Sequence, residues 1–164
     1  MKATELLKQQ HDEVKAIFKQ LEDGKGNAKA LLEKLGNSLS AHMVIEQEIF
    51  YPAVLEADED LVLESYEEHA VARFALKRLL KAAPSDQTFK AKVTTLKELI
   101  EHHVKEEEDD LFPKADKALG ERSKDLGRDM KALFLKTEEE GYERTIGRGG
   151  AAVTSASIAH AQRA

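Results

Sequence analysis

Apolar residues recur at intervals of three and four along most of the chain, which is the spacing of amphipathic α-helices. The first such segment carries its apolar positions from Leu7 to Leu21. A second is predicted to begin after Asn27, a residue type that caps helix N-termini, and to run to about Leu55. The pattern of this part of the chain therefore predicts two consecutive helices.

Two further helices follow with the same pattern. The third is predicted to begin after the capping residue Asp58 and to end before Pro84, whose ring cannot continue the helical hydrogen bonds. The fourth is predicted to open at Ser85 and to extend toward Lys117. Because the connections are short, consecutive helices must lie antiparallel. We therefore expect an all-α fold, an up-down-up-down antiparallel four-helix bundle.

The chain has 164 residues, enough for one domain and a tail. We assign residues 1–118 to the bundle and residues 119–140 to an additional C-terminal amphipathic helix that packs against the bundle or a second copy. Residues 141–164 contain glycines, small residues and no sustained apolar period. This last segment is therefore predicted to be a flexible tail.

Composition excludes several classes of function. The chain has no cysteine, which removes disulfides, thiolate metal sites and cysteine nucleophiles. Its net charge of −6 is unfavourable for gripping a nucleic-acid backbone, so no nucleic-acid partner is expected. No apolar run approaches the roughly 18 residues that span a bilayer, and the start MKATELLKQQ lacks a secretory apolar core. We predict a cytoplasmic protein without a membrane partner.

The chain contains an internal repeat. The segment HMVIEQEIFYP, which begins at His42, aligns without gaps on HVKEEEDDLFP, which begins at His103; each has Glu four residues after its His and Pro at the tenth step. The segment HDEVKAIFKQL, which begins at His11, aligns in the same way on HAVARFALKRL, which begins at His69. Each half is therefore predicted to be an αα-hairpin that carries a lone His followed by His-x-x-x-Glu.

The repeated polar residues fall on the apolar faces of their helices. Residues four apart on a helix point the same way, so His42 with Glu46 and His103 with Glu107 each present two donors in one direction. At a rise of about 1.5 Å per residue, the four histidines lie at similar heights in the bundle. Imidazoles and carboxylates from all four helices are therefore expected to meet.

A surface ion pair is the commoner interpretation of a His and a Glu four residues apart, and a single core His is usually hydrogen-bonded. Six unsatisfied polar groups in a core, at about 1–3 kcal/mol each, would cost on the order of 10 kcal/mol, as much as the net stability of a domain. The duplicated set therefore favours a metal centre. Its predicted ligands are His11, His42, Glu46, His69, His103 and Glu107.

The donor types restrict the metal. Imidazole and carboxylate without thiolate suit iron, manganese, zinc or copper and argue against calcium and magnesium. These ligands exceed one tetrahedral zinc, whereas two metals sharing bridging carboxylates would use them all. Spacing does not choose iron over manganese, and zinc also stays open.

The order His, His-x-x-x-Glu, His, His-x-x-x-Glu, with FYP or LFP after each pair, resembles the hemerythrin-like HHE cation-binding proteins over about residues 4–118. The resemblance implies a four-helix bundle that holds two non-haem iron ions bridged by an oxo or hydroxo group and by two carboxylates. The roles it implies are bridging for Glu46 and Glu107, one iron for His11 and His42, and the other for His69 and His103.

One position departs from the oxygen-carrying hemerythrins, which have a fifth histidine one turn from the third. Here the turns on either side of His69 offer Ser65 and Arg73. The chain thus resembles the four-histidine branch, which includes peroxide-degrading, nitric-oxide-responsive and iron-centre-repair proteins. With two histidines on each iron, both metals are expected to keep an open or water-filled position. Repair proteins usually carry a cysteine-bearing segment, which this chain lacks.

These considerations predict a di-iron protein that binds or consumes a small inorganic ligand, namely peroxide, dioxygen or nitric oxide. Peroxide decomposition is the enzymatic form of this hypothesis. The alternative is a sensor of iron, oxygen or nitric oxide without turnover, in which the fifth helix or the tail contacts an unidentified protein partner. A third hypothesis is a metal-free helical interaction module.

His102 also stands four residues before a glutamate, Glu106, so the stretch HHVKEEE permits two registers. One step along a helix rotates the side chain by about 100°. The apolar face and the proline spacing shared with the first repeat select His103 as the inward residue. His102 is therefore expected to face solvent or to support a ligand, and the run from Glu106 to Asp110 to be mostly a solvated face.

Four other residues stay open at this stage. Tyr66 lies one turn before His69, where it is either a core aromatic with a bonded hydroxyl or a hydroxyl near the metal. Tyr51 precedes a proline, and its direction does not follow from the pattern. Glu68 is either a solvated acid or a group that steers proton or solvent access, and His160 is placed in the tail.

Overall fold

A computed structural model describes residues 1–148. Over that range it is all-α, and four long helices alternate in direction to form a bundle, with a further helix behind them. The predicted fold class is confirmed. The α-helices are α1 (Ala3–Glu22), α2 (Ala28–Ile45), α3 (Tyr51–Val54), α4 (Glu59–Leu80), α5 (Phe89–Glu106), α6 (Phe112–Leu119), α7 (Arg122–Glu140) and α8 (Tyr142–Thr145).

Two of the predicted helix starts are those of the structure. The side chain of Asn27 accepts a hydrogen bond from the Ala30 amide at 3.1 Å at the start of α2. The side chain of Asp58 accepts one from the Leu61 amide at 3.3 Å at the start of α4. Each cap satisfies an amide that has no partner within its helix, which is why these residue types mark helix starts.

The start of α5 differs from the prediction, because this helix begins at Phe89 and not at Ser85. Asp86 Oδ1 accepts hydrogen bonds from the Thr88 amide and from the Thr88 hydroxyl, each at 2.7 Å. A short polar side chain that bonds nearby backbone competes with helix formation. The turn held by Asp86 therefore delays the helix.

The sequence pattern predicted that the two helices with His-x-x-x-Glu run to about Leu55 and toward Lys117. In the structure both helices are interrupted before these residues. Each widens into one π-helical turn that begins at its glutamate, Glu46–Phe50 in the first repeat and Glu107–Leu111 in the second. After these turns the chain continues as α3 and α6. The repeat seen in the sequence is thus also a repeat of backbone shape.

The prolines of the repeat give a physical reason for the π-helical turns. A proline inside an α-helix clashes with the carbonyl four residues earlier, and a wider turn moves that carbonyl away. In the first turn the Tyr51 amide bonds the carbonyl of Glu46, five residues back. The next bond of this kind would join Pro52 to the Gln47 carbonyl, but proline has no amide hydrogen. The Gln47 carbonyl accepts instead from the Tyr66 hydroxyl at 3.1 Å. Tyr66 is therefore a half-buried aromatic that packs against the core and has a bonded hydroxyl.

Tyr66→Phe tests this account of the proline. The substitution removes the hydroxyl that serves the Gln47 carbonyl, so we expect the free energy of unfolding to fall by about 1 kcal/mol. Urea denaturation measures the loss. Metal content should stay that of the unsubstituted protein, and a variant of unchanged stability would contradict the role given to this hydroxyl.

The apolar core has two parts with a polar layer between them. One part gathers around α3, α6 and the start of α1, and includes Leu7, Phe50 and Phe112. The other fills the opposite half of the bundle, and includes Leu39 and Leu76. The repeated His and Glu residues lie where these two parts meet, as the chain order on α1 shows, with His11 between Leu7 and Val14.

The additional helix, α7, packs along α1 and α2. The Ser123 hydroxyl accepts from the Ala3 amide at 3.2 Å, and the Ser38 hydroxyl donates to Glu138 at 2.8 Å. Gly127 allows the close approach, since a Cβ there would lie 2.7 Å from the carbonyl oxygen of Met1. This helix therefore packs against α2, which carries His42.

The segment predicted to be a flexible tail begins with residues that pack on the bundle. Tyr142–Thr145 form the short helix α8, and the Tyr142 amide donates to Asn37 Oδ1 at 2.8 Å. Ile146 belongs to the apolar core. The rest of the predicted tail, including His160, lies outside the described residues. In residues 1–148, none of the helices combines the length and apolar character needed to cross a bilayer.

Candidate metal centre

The structure brings the six predicted ligands together in the bundle interior. All are buried, and both glutamates have no exposed surface. They form two groups whose candidate ligand atoms lie within 4.8 Å of one another, and Glu46 belongs to both. The first group is His11, His42, Glu46 and Glu107, and the second is Glu46, His69 and His103.

In the first group the Nε2 atoms of the imidazoles face the carboxylates. His42 Nε2 lies 3.1 Å from Glu46 Oε2, and His11 Nε2 lies 3.4 Å from Glu107 Oε2. The His11 and His42 rings are edge to face, with centroids 4.9 Å apart. Two imidazoles and two carboxylates thus converge from α1, α2 and the two π-helical turns.

The second group shares Glu46 with the first. His69 Nε2 lies 3.2 Å from Glu46 Oε2 and 3.0 Å from His103 Nε2. Glu107 reaches toward both groups, because its Oε2 is also 3.6 Å from His103 Nε2. Both carboxylates therefore lie between the two pairs of imidazoles.

A seventh polar group, the Tyr51 phenol, lies among these ligands. Its hydroxyl donates to Glu107 Oε1 at 2.9 Å and lies 3.2 Å from His69 Nε2 and 3.4 Å from His103 Nε2. Tyr51 is nine residues after His42, so an unbroken α-helix would turn it to about the opposite face. The extra residue of the π-helical turn rotates it back by about 100° and places the phenol beside the second group.

The two halves of the site differ at the position of the repeat that Tyr51 occupies. The residue nine positions after His103 is Phe112, and its ring stacks on His11 at a centroid distance of 5.8 Å. An apolar ring therefore covers the first group where the second group has a hydroxyl. The two candidate metal positions differ in this oxygen donor.

Three of the four imidazoles make a hydrogen bond at Nδ1, the ring nitrogen that faces away from the cluster. The acceptor is Gln10 for His42 at 2.9 Å, Glu68 for His103 at 2.7 Å, and Glu108 for His11 at 2.8 Å. Such bonds fix the tautomer that presents a lone pair at Nε2. Glu68 is therefore not a freely solvated acid, and Glu108 departs from the solvated face predicted for its run. The Nδ1 of His69 has no hydrogen-bond partner within residues 1–148.

The two carboxylates have opposite pKa shifts. Burial, followed by the nearby charge of Glu107, raises the pKa of Glu46 well above its usual value. Burial also acts to raise the pKa of Glu107, but His103, His11 and His42 outweigh it and lower that pKa to about 2. Two adjacent buried carboxylates cannot both ionise cheaply without a cation between them.

Two of the predicted ligands, His42 and His69, have lowered imidazole pKa values that favour the neutral form. Burial, followed by repulsion from His11, lowers the pKa of His42, and burial, followed by repulsion from His103, lowers the pKa of His69. A neutral imidazole has a free lone pair and does not have to lose a proton before it binds a metal ion.

The unsatisfied atoms of the cluster fit a metal. Both oxygens of Glu46, Oε2 of Glu107 and Nε2 of His11 are buried and make no hydrogen bond to any of the described residues. These atoms approach their neighbours at 3.1–3.4 Å without hydrogen-bond geometry, as donors arranged around shared cations do. Nitrogen and oxygen donors without sulfur suit iron, manganese or zinc. The residues present therefore fit a metal centre.

The structure also confirms the register chosen for HHVKEEE. The side chain of His103 is 4% exposed and points into the cluster, whereas that of His102 is 64% exposed. His102 lies beside Glu68 and Glu106 on the outside, at 3.6 Å and 3.4 Å. It is therefore no part of the buried cluster.

The bundle with this imidazole and carboxylate cluster defines a helical metal-binding protein. Residues 2–115 match the family described as Hemerythrin HHE cation binding domain. The chain belongs to the hemerythrin HHE cation-binding domain family.

Two individual proteins are similar to the chain. A crystal structure of a hemerythrin HHE cation binding domain-containing protein from Mycobacterium kansasii shares the fold, with a TM-score of 0.78 and 23% identity over 98% of this chain and 99% of that chain. A DNA nickase from a Nostoc species is 26% identical over 154 residues. The match covers 91% of this chain but 44% of that relative, so the chain spans less than half of its length.

Proposed function

We propose that the chain holds two non-haem iron ions and decomposes peroxide at them. The proposal is carried by two groups of buried imidazole and carboxylate donors that share Glu46, whose own two oxygens make no hydrogen bond within residues 1–148. His11 and His42 would hold one ion, His69 and His103 the other, and Glu46 and Glu107 would bridge them. In that assignment each protein ligand seen in the interior has a partner.

A pair of iron ions, when bound, supplies two-electron redox chemistry, so that one peroxide is oxidised to dioxygen while a second is reduced to water. The chain's residues control access and protons. The Tyr51 hydroxyl, 2.9 Å from Glu107 Oε1, holds a proton at the second group. Burial raises the pKa of Tyr51 well above its usual value, which keeps that proton on the phenol in the metal-free chain.

A small cavity adjoins the four histidines of the cluster. Its volume is about 10 Å³, room for about one water-sized molecule. Its lining consists of the four histidines together with Val14, Leu39, Met43, Ile100 and Val104. Apolar walls of this kind exclude bulk water and favour small neutral molecules such as hydrogen peroxide, dioxygen or nitric oxide.

A second candidate function is a sensor that binds one of these molecules without turnover. It is favoured by the contact between the C-terminal region and α2, the helix that carries His42. The Tyr142 ring lies against Gly36, and the Tyr142 amide bonds Asn37. A change at His42 has a direct packing route to α8. The absence of a nucleic-acid partner stays a prediction from the charge of the chain.

Peroxide addition to the iron-loaded protein separates the two functions. We expect oxygen evolution that continues over many equivalents of peroxide and that is lost in a His42→Ala variant. An oxygen electrode and the loss of peroxide absorbance measure it, with His102→Ala as the matched control. Ligand-dependent optical spectra without turnover would instead favour the sensor.

A further inference from the structure

The two halves of the site support their histidines in the same way at one position of the repeat. The residue before each lone histidine accepts from the Nδ1 of the next histidine in that half. Gln10 serves His42 at 2.9 Å, and Glu68 serves His103 at 2.7 Å. The alignment of the repeats therefore also aligns the hydrogen bonds around the ligands.

The halves differ at the residue that follows each ligand glutamate. Glu108 accepts from the Nδ1 of His11 at 2.8 Å. Its counterpart in the first repeat is Gln47, and the equivalent bond would serve the Nδ1 of His69. Gln47 Oε1 instead accepts from Arg73 Nη2 at 2.5 Å. The Nδ1 of His69 is buried and has no hydrogen-bond partner in the part of the chain that the structure describes.

The basic residue one turn after each lone histidine explains the difference. In the first half it is Lys15, 39% exposed, whose Nζ lies 3.7 Å from Glu108. A carboxylate has enough lone pairs to serve a lysine and an imidazole together. In the second half the basic residue is Arg73, which is 4% exposed and therefore needs an acceptor inside the protein. The single amide oxygen of Gln47 is directed to Arg73, and among residues 1–148 it makes no bond to His69.

We propose that the two metal positions are unequal and that Arg73, through Gln47, makes them so. The position formed by His69 and His103 binds its ion more weakly, because the His69 ring is not held at Nδ1. Arg73 is thus a positioning residue. The inference rests on the proposed function, since it needs two metal positions, and it adds that the second ion is the one that is loaded last and lost first.

The expected difference in metal affinity between the two positions follows from the effect of such hydrogen bonds in other metal sites. Removing the group that holds a ligating histidine from behind lowers metal affinity by about 10- to 100-fold. The ring of His69 has lost this support in the native chain, while His11, His42 and His103 have kept theirs. We therefore expect the dissociation constants of the two positions to differ by at least about tenfold.

Gln47→Glu tests the inference, because a carboxylate at this position can accept from Arg73 and from His69 together, as Glu108 does for Lys15 and His11. The metal-free full chain is titrated with ferrous iron under anaerobic conditions in competition with a chelator of known affinity. The unsubstituted protein should give two dissociation constants. In Gln47→Glu the weaker binding should tighten by about tenfold and the stronger stay unchanged.

The matched control is Glu108→Ala, which removes the acceptor of the His11 Nδ1 hydrogen bond. Here the stronger binding should weaken by about tenfold. Arg73→Met frees the oxygen of Gln47 for His69 and should tighten the weaker position, so it decides the question if Gln47→Glu fails to fold by circular dichroism. Two equal constants in the unsubstituted protein, or a gap that Gln47→Glu and Arg73→Met leave unchanged, would overturn the inference and leave the proposed function standing. A chain that takes up no iron would overturn both.

Discussion

Glu46→Ala is expected to leave the protein unable to hold two metal ions per chain. The carboxylate of Glu46 lies 3.1 Å from His42 Nε2 and 3.2 Å from His69 Nε2, so it serves both groups of ligands. Its loss removes one donor from each position and leaves two buried pairs of imidazoles with fewer partners. Elemental analysis of the purified variant should show clearly fewer than two ions per chain.

The matched control for this experiment is His102→Ala. His102 also stands four residues before a glutamate, but it is 64% exposed and outside the buried cluster. Two ions should therefore remain in this variant. If His102→Ala and Glu46→Ala lost metal equally, the assignment of the buried residues as the ligands would be wrong.

Chelation is expected to lower the melting temperature by about 10 °C. A ligand present at about 1,000 times its dissociation constant stabilises the folded state by about 4 kcal/mol, and a chain of this size shifts by about 2–4 °C per kcal/mol. Removal of the ions also leaves Glu46 and Glu107 adjacent and buried without a cation. Scanning calorimetry with and without a chelator measures the shift.

His42→Ala provides the reference for the chelation experiment. Its melting temperature should be lower from the start and should change little when the chelator is added, because it no longer holds the full metal complement. An unsubstituted protein whose melting temperature ignores the chelator would instead support the metal-free interaction module.

Much of the fold follows from the sequence because local signals agree with the packing. Asn27 and Asp58 cap helices where the pattern predicts, and the short connections leave an antiparallel bundle as the simple solution. The residues of the cluster could also be predicted from the sequence, because a repeated His and Glu pattern is less easily explained by chance than a single pair. A single His and Glu four apart means little, whereas His42 with Glu46 and His103 with Glu107 repeat on two apolar faces.

The direction of Tyr51 was not predictable from the pattern. It depends on the π-helical turn, whose extra residue rotates everything that follows. A prediction from helical periodicity assumes a constant 3.6 residues per turn, so it cannot reveal a π-helical turn. The signal that could have found it is the proline at the tenth step of both repeats, since each proline makes an unbroken α-helix unfavourable.

The residues behind the histidines were also beyond the sequence argument. Glu68 and Glu108 lie in segments that contain several acidic residues. The sequence does not show that these two glutamates bond an imidazole while neighbouring acidic side chains face solvent. The partner of Gln47 is decided by the depth at which Arg73 is buried, which is a property of the packed bundle. Contacts between side chains on different helices become visible only after the helices are assembled.

The single hydroxyl that separates Tyr51 from Phe112 bears on the ancestry of the molecule. Two identical hairpins brought together by symmetry would have to present the same aromatic side chain to both groups of histidines, because any mutation would appear twice. Once the hairpins share one chain, each copy is free to vary by itself. Fusion of a duplicated gene is therefore what permits one half of the centre to gain a phenol while the other keeps a plain ring.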